Sequence, residues 1–103
     1  MPVVEIKNSA AFVQLIGDEN RDVIVDFTAS WCGPCRVIAP AFAKLADENP
    51  SFLFGKVDID DLKELAKLYN INSVPSFVRF SKSQPVRRCT GANINKIKEL
   101  LTV

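Results

Sequence analysis

Two cysteines separated by two residues are the most chemically reactive pattern in the sequence. The residues Trp31-Cys32-Gly33-Pro34-Cys35 follow an apolar run and open a helical pattern. Cysteines three positions apart at the start of a helix have Cβ atoms roughly 5 to 6 Å apart, so a small backbone adjustment satisfies disulfide geometry. Closing so short a ring adds at most about 2 kcal/mol of stability. Reversible thiol–disulfide redox chemistry therefore explains the pair better than structural cross-linking does.

The size and charge of the chain favour one domain and name no nucleic-acid or membrane partner. Its 103 residues and 48% hydrophobic content suit a single core, so we expect one domain over residues 1–103. Lys and Arg number 13 against 12 Asp and Glu, and neither sign forms a long run. No window approaches the ~20 apolar residues of a membrane span, and the N-terminus lacks the pattern of a signal peptide.

The number of cysteines indicates a reducing compartment. Three cysteines are an odd number, and far fewer than secreted, disulfide-stabilised domains carry. The count favours a reducing environment in which thiols are reactive groups, so we expect a cytoplasmic protein, and we expect it to be a monomer. An organellar form that has already been processed is the alternative.

Short apolar runs alternate with amphipathic stretches, which is typical of an α/β layered domain. Strands are predicted at residues 3–6, 23–27, 52–59, 76–80 and 86–90. Helix starts are predicted at Asn8 or Ser9, at Cys32, at a capping box of Asp61 and Glu64, and at Asn93 or Asn95. Helical crossovers between the first three strands imply a parallel, right-handed β-α-β-α-β half. The last two strands are too close for a crossover and predict an antiparallel hairpin, with helices covering both faces of the sheet.

The second predicted helix carries the redox pair. It should run from Cys32 to about Glu48, with Cys35, Ile38, Phe42 and Leu45 on its inward stripe. Pro40 lies inside this helix and should kink it.

The sequence resembles the thioredoxin family over nearly its whole length. The resemblance is carried by Asp26-Phe27-Thr28-Ala29-Ser30-Trp31-Cys32-Gly33-Pro34-Cys35, Pro40, Lys56, Val74-Pro75 and Gly91. The Cys-Gly-Pro-Cys tetrad is characteristic of thioredoxins proper within a superfamily that varies the two middle residues. The resemblance implies the thioredoxin fold, an α/β structure with a central mixed sheet of about five strands flanked by four helices on both faces.

The two cysteines are expected to have different roles. Cys32 lies where the first helical turn leaves N–H groups unpaired and where the helix dipole favours a thiolate, so it should be the nucleophile. Cys35 lies one turn inward, where desolvation keeps it a thiol until it attacks Cys32 and releases the reduced substrate. Gly33 and Pro34 shape the loop between them, and Pro34 suits the first helical turn.

Asp26 is the candidate base for the Cys35 proton. A carboxylate in a buried strand is desolvated, which raises its pKa toward neutrality. The resemblance assigns this role to the matching family aspartate; the alternative is that Asp26 only ends its strand and caps a turn. Lys56 could approach Asp26 across adjacent strands and tune its proton affinity, or could be a solvated surface residue.

A substrate groove is implied beside the cysteines. Family members carry a cis proline at the position of Pro75, which leaves the backbone of Val74 free to pair with an extended substrate segment. Trp31 would form one wall. The expected groove residues are Trp31, Gly33, Pro34, Val74, Pro75, Gly91 and Ala92.

Three features fall outside the redox pattern. Cys89 is expected to be a small structural residue, with a regulatory or intermolecular disulfide as the alternative. The segment 81–85 lacks the hairpin glycine of many thioredoxins, which leaves the turn type open. Ser76 stands where threonine is common and should keep the hydroxyl.

Competing interpretations differ in what the cysteines do. A structural zinc site is disfavoured, because the chain has no His and one further Cys, short of four ligands. A secreted disulfide isomerase would share the fold, but the missing signal pattern and the Gly33-Pro34 pair favour a reductant. A binding module with incidental cysteines would not need Asp26 and Pro75 as well. A glutathione-dependent, glutaredoxin-like protein would be distinguished by its electron donor.

The resemblance implies a general protein-disulfide reductase, an oxidoreductase that acts as an electron carrier in cell redox homeostasis. It would need no cofactor or metal of its own. Its partners would be an NADPH-linked thioredoxin reductase, which recharges it, and disulfide-containing clients such as ribonucleotide reductase or peroxiredoxins. A groove of backbone and small apolar groups does not identify one client among these.

Overall fold

A computed structural model describes residues 2–102 as five strands and four helices. The elements in chain order are β1 (Val4–Glu5), α1 (Ser9–Ile16), β2 (Val23–Thr28), α2 (Gly33–Glu48), β3 (Leu53–Asp58), α3 (Lys63–Leu68), β4 (Ser76–Ser81), β5 (Gln84–Thr90) and α4 (Ile94–Glu99). Each predicted element is present, with boundaries shifted by one or two residues. Within residues 2–102 no helix is long and apolar enough to cross a membrane.

The five strands form one mixed sheet in the order β1-β3-β2-β4-β5. β3 pairs in parallel with both β1 and β2, whereas β4 pairs antiparallel with β2 and with β5. This arrangement confirms the predicted parallel half and the predicted hairpin. β2 lies in the centre, and its first five residues are all buried, as its continuous apolar run predicts.

The sheet separates two apolar clusters. The first lies against α1 and α3 and contains Phe12, Ile16, Val25, Leu65, Val78 and Phe80 among others. The second lies against α2 and α4 and contains Ile24, Ile38, Phe42, Leu45, Phe77 and Ile97 among others. Helices therefore cover both faces of the sheet, as predicted.

Three helices begin at the residues that the sequence indicates. The Asn8 side chain accepts a hydrogen bond from the Ala11 N–H at the start of α1, and the Asn93 side chain caps α4 in the same way. Cys32 is the N-cap of α2, whose inward residues include the predicted stripe. Pro40 lies inside α2, and the helix continues past it to Glu48.

The predicted capping box of α3 is wrong. The N-cap of this helix is Leu62, and no side chain of the described residues caps it. The preceding turn is closed instead by Asp58, whose backbone oxygen accepts from the Leu62 N–H and whose carboxylate accepts from the Asp60 N–H. Leu62 takes the capping position because its side chain is buried in the first cluster, and this packing outweighs the local preference for Asp61.

The hairpin between β4 and β5 turns without glycine. Lys82 and Ser83 have φ angles of +49° and +73°, which is the two-residue turn with both central residues in the left-handed region. The Ser83 N–H donates to the carbonyl of Ile16 at 2.9 Å, so the turn also contacts the end of α1.

Candidate redox site

Cys32 and Cys35 form a disulfide at the N-terminal end of α2. Their Cα atoms are 5.3 Å apart, and both residues are buried. They form a small apolar cluster with Ala29, against which Val74 and Ile59 pack. The predicted spacing of two residues therefore places both sulfur atoms within bonding distance at the end of a helix.

Backbone dipoles surround the Cys32 sulfur. Its Sγ accepts a hydrogen bond from the Cys35 N–H at 3.1 Å, and the Cys32 carbonyl accepts from the Arg36 N–H. The sulfur thus occupies the position of a helix N-cap, where unpaired N–H groups and the helix dipole favour negative charge. Pro34, in the first turn, has no N–H of its own to satisfy.

Val74 lies directly beside the cysteines. The Val74–Pro75 peptide bond is cis, as the family resemblance implies. The Sγ of Cys32 is 3.7 Å from the carbonyl oxygen of Val74, so a sulfur bonded to Cys32 would lie next to this backbone.

The segment around Pro75 is held by short polar contacts. The Gly91 N–H donates to the Pro75 carbonyl at 2.9 Å, and the Ser76 hydroxyl donates to the Ser73 carbonyl at 2.6 Å. Gly91 has a φ of +91°, a conformation that L side chains rarely adopt, which explains glycine at this position. The Ser76 hydroxyl thus takes part in holding this segment, and Ala92 follows Gly91 directly in the chain.

Trp31 presents its ring at the surface next to the disulfide. It is 65% exposed, and its indole N–H donates to a carboxylate oxygen of Asp60 at 2.9 Å. An exposed ring fixed at one edge suits the predicted groove wall. No local sequence pattern indicates Asp60 as part of the site, because the contact joins residues 29 positions apart.

Asp26 is a buried carboxylate in the central strand. It is 1% exposed, and its Oδ1 has no hydrogen-bond partner among residues 2–102. Burial raises the pKa of Asp26 from 3.8 to about 7, while the charge of Lys56 opposes the rise. Lys56 is the register partner of Asp26 on β3, so the predicted approach of the two residues is confirmed.

A cavity of about 400 Å³ joins Asp26 to Cys35, the inner cysteine of the redox pair. Asp26, Cys35 and Lys56 all line it, together with Arg36 and Asp58. Arg36 donates a hydrogen bond of 2.7 Å to the Ser30 carbonyl, and so spans the loop that precedes the cysteines. The cavity is large enough for several water molecules and has polar walls, so a proton could pass between the two groups through water.

Cys89 lies outside this site. It is a free, partly buried thiol on β5 that packs against the second cluster. Burial raises the pKa of its thiol, which favours the unreactive form. These surroundings agree with the expected structural role.

Comparison with known proteins identifies the family of this chain. The thioredoxin family model matches residues 3–102. A thioredoxin H-type of Fagopyrum esculentum is 44% identical over 86 residues, which cover 84% of this chain and 74% of that protein. The thioredoxin of Mycoplasma pneumoniae is 42% identical over 86% of each chain.

Solved structures give the same result. Fasciola hepatica thioredoxin superimposes with a TM-score of 0.92 at 39% identity, covering 96% of both chains. Plasmodium falciparum thioredoxin gives a TM-score of 0.91 at 36% identity over the same share of both chains. With its five-stranded mixed sheet and its disulfide at the start of α2, the chain belongs to the thioredoxin family, whose members carry a redox-active disulfide.

Proposed function

We propose that this chain is a general protein-disulfide reductase that is recharged by a thioredoxin reductase with electrons from NADPH. The observation that carries the proposal is the Cys32–Cys35 pair at the start of α2, with the Cys32 sulfur 3.7 Å from the Val74 carbonyl. A thiolate there meets the substrate disulfide beside a backbone that can pair with an extended segment.

The reaction transfers two electrons from the cysteine pair to the substrate. In the dithiol form, the Cys32 thiolate attacks one substrate sulfur, a mixed disulfide forms, and the other substrate sulfur leaves as a thiolate. Cys35 then loses its proton and attacks the Cys32 sulfur. The Cys32–Cys35 disulfide forms, and the second substrate sulfur leaves reduced.

Asp26 is proposed as the base for the second step. Its pKa of about 7 lets it accept a proton near neutral pH and release it again. Asp26 and Cys35 line the same cavity, which supports transfer through water. Lys56 lowers the proton affinity that burial alone would give the carboxyl.

The groove is proposed to bind client proteins through backbone and apolar contacts. Trp31 offers an exposed ring, Val74 offers its backbone, and Gly91 supports Pro75. The remaining groove residues are Gly33, Pro34 and Ala92. So general a surface fits several clients, among them ribonucleotide reductase or peroxiredoxins.

The proposed setting is a cytoplasm with reducing conditions, where residues 1–103 act as one monomeric thioredoxin domain in redox homeostasis. The odd cysteine number and the partly buried thiol of Cys89 support a protein whose third cysteine stays reduced.

The test is NADPH consumption with insulin as substrate and a thioredoxin reductase as donor. Wild type and Cys89→Ser should turn over at similar rates. Cys35→Ser should stop after one attack and accumulate a mixed disulfide with insulin, visible by mass spectrometry, because nothing resolves it. The proposal is wrong if folded wild type reduces no insulin with any of several thioredoxin reductases. This holds whether glutathione then supports turnover as the electron donor or no donor does.

A further inference from the structure

Arg88 connects the edge strand β5 to the end of α3. Its Nη2 donates a hydrogen bond of 2.6 Å to the backbone carbonyl of Tyr69, the C-cap residue of this helix. Carbonyl groups in the last turn of a helix have no partner further along the helix and carry partial negative charge, so a guanidinium is a strong donor there. Arg88 therefore adds a side-chain bond at the point where α3 passes into the following loop, beside the backbone bonds that the Tyr69, Asn70 and Ile71 N–H groups donate to carbonyls of α3.

The register of the hairpin explains the direction of this side chain. Arg88 is paired with Val78 across β4 and β5, and Val78 is buried in the first cluster, against α1 and α3. Paired residues project from the same face of a sheet. Arg87, one position earlier, projects from the other face, and its guanidinium donates to the Glu99 carbonyl of α4.

The loop that starts at Tyr69 leads to the substrate-facing backbone. Residues 70–74 connect it to Pro75, whose carbonyl is held at 2.9 Å by the N–H of Gly91. Both ends of the loop are thus fixed by β5 and the residue that follows it. Val74 lies near the second end, with its carbonyl 3.7 Å from the Cys32 sulfur.

We propose that Arg88 is a positioning residue for protein substrates: it fixes the loop 70–74 so that Val74 presents its backbone to a client segment beside Cys32. This inference rests on the proposed reductase function. Displacement of a pairing backbone weakens the binding of an extended polypeptide and leaves the sulfur chemistry unchanged. The effect therefore falls on KM for a protein disulfide.

The experiment compares Arg88→Met, which keeps the apolar stem, with Arg88→Lys and with the matched control Arg87→Met. Insulin reduction is measured over a range of insulin concentrations with saturating reductase and NADPH. Reduction of Ellman's reagent, a small aromatic disulfide without a polypeptide backbone, is measured in parallel. Arg88→Met should raise KM for insulin about threefold or more, up to the roughly tenfold that one lost hydrogen bond allows, because substrate binding must then restore the loop geometry that this bond holds. The kcat and the rate on Ellman's reagent should be unchanged.

The controls separate positioning from general stability. Arg88→Lys should recover part of the KM, and Arg87→Met should behave as wild type. An unchanged KM in Arg88→Met overturns the inference, as does an equal loss on insulin and on Ellman's reagent.

Amide hydrogen exchange at residues 72–74, measured without substrate, distinguishes this inference from the proposed function. If wild type fails to reduce insulin, the proposed function fails, and exchange decides the role of Arg88. Faster exchange in Arg88→Met than in Arg87→Met supports positioning, and equal exchange overturns it.

Discussion

At the scale of single residues, the buried Asp26 carboxyl is a feature that costs the folded protein stability. An unpaired polar group in the interior loses its hydration without replacement, and its charged form loses most. Asp26 nevertheless lies in the central strand at 1% exposure. The proposed proton transfer accounts for a group that lowers stability, because the burial that costs stability also brings its pKa to about 7.

The free energy of unfolding should therefore fall as the pH rises from about 4 to about 7. The folded pKa of about 7 lies above the ordinary 3.8, so the folded protein keeps a proton that the unfolded chain has released. The contribution of the protonated Asp26 carboxyl to the free energy of unfolding is fully present below about pH 4. It is lost progressively as the pH rises to about 7, where the total loss reaches about 4 kcal/mol. Between pH 5 and pH 8 we expect this group to lower the free energy of unfolding by about 3 kcal/mol.

Urea unfolding of the oxidised protein at the two pH values measures this effect. Asp26→Asn should remove this part of the pH dependence, because the amide does not titrate. Asp61→Asn, which changes an exposed aspartate lining the same cavity, should keep the wild-type difference. A wild-type difference that persists in Asp26→Asn would assign it to other groups.

The residues with chemical roles differ in how well sequence predicts them. The spacing of Cys32 and Cys35 predicts their proximity because a helix turn fixes it. The apolar run around Asp26 likewise predicts that this residue is buried, because a continuous apolar run is typical of a central strand. Asp60 and Arg88 could not be predicted, since each bonds to a residue 29 or 19 positions away and only the folded chain brings them together.

At the scale of elements, helix starts are predicted well where one polar side chain can cap and poorly where packing competes. Asn8 and Asn93 cap their helices through their own side chains. At α3 the acidic residues match a capping box, but Leu62 takes the N-cap position because it is buried. A capping pattern read from sequence takes no account of which residue the core requires.

The β4–β5 turn should gain stability from glycine. Ser83 has a φ of +73°, where an L side chain costs about 1 kcal/mol, and its N–H bond to Ile16 does not involve the side chain. Ser83→Gly should therefore raise the free energy of unfolding by about 0.5 to 1 kcal/mol, measured by urea denaturation.

Ser51→Gly is the matched control for this prediction. Ser51 is also exposed and lies in a turn, but its φ is not positive, so glycine there should be neutral or destabilising. If Ser83→Gly lowers stability as much as Ser51→Gly does, the backbone of the turn carries no such cost.

At the scale of the whole molecule, Arg79 joins the sheet to the last helix. Its guanidinium bonds the Asp22 carboxylate at 2.9 Å and the carbonyls of Leu100 and Thr102, and it lies over the ring of Phe52. The strand pattern predicts the sheet, but it gives no sign that an arginine of β4 would fasten the segment after α4. Such contacts form only when the folded chain brings the segment after α4 against β4.

Loss of this contact should lower stability without changing activity. Arg79→Met keeps the stem but removes the donor to the Asp22 carboxylate and to the Leu100 carbonyl, while the Thr102 carbonyl still accepts from Arg87. This loss should cost about 1 to 3 kcal/mol. Asp22 precedes β2, whereas the redox site lies beyond its other end, so the insulin reductase rate per folded molecule should equal that of wild type.

A double-mutant cycle tests this assignment. Asp22→Asn, Arg79→Met and their combination, compared by urea denaturation, should give a double variant more stable than the sum of the single losses predicts. Additive losses would contradict a direct ion pair between Arg79 and Asp22. A slower reductase rate in Arg79→Met would contradict the expectation that this contact and the redox site, at opposite ends of β2, act independently.

The outer edge of the sheet has a consequence for association between molecules. β5 runs along this edge with its residues largely exposed, and it carries Pro85, Arg87 and Arg88 within seven positions. A second copy docking edge to edge would meet a proline without an N–H and would place like charges close together. The same arginines that fasten α3 and α4 therefore also act against growth of the sheet into aggregates.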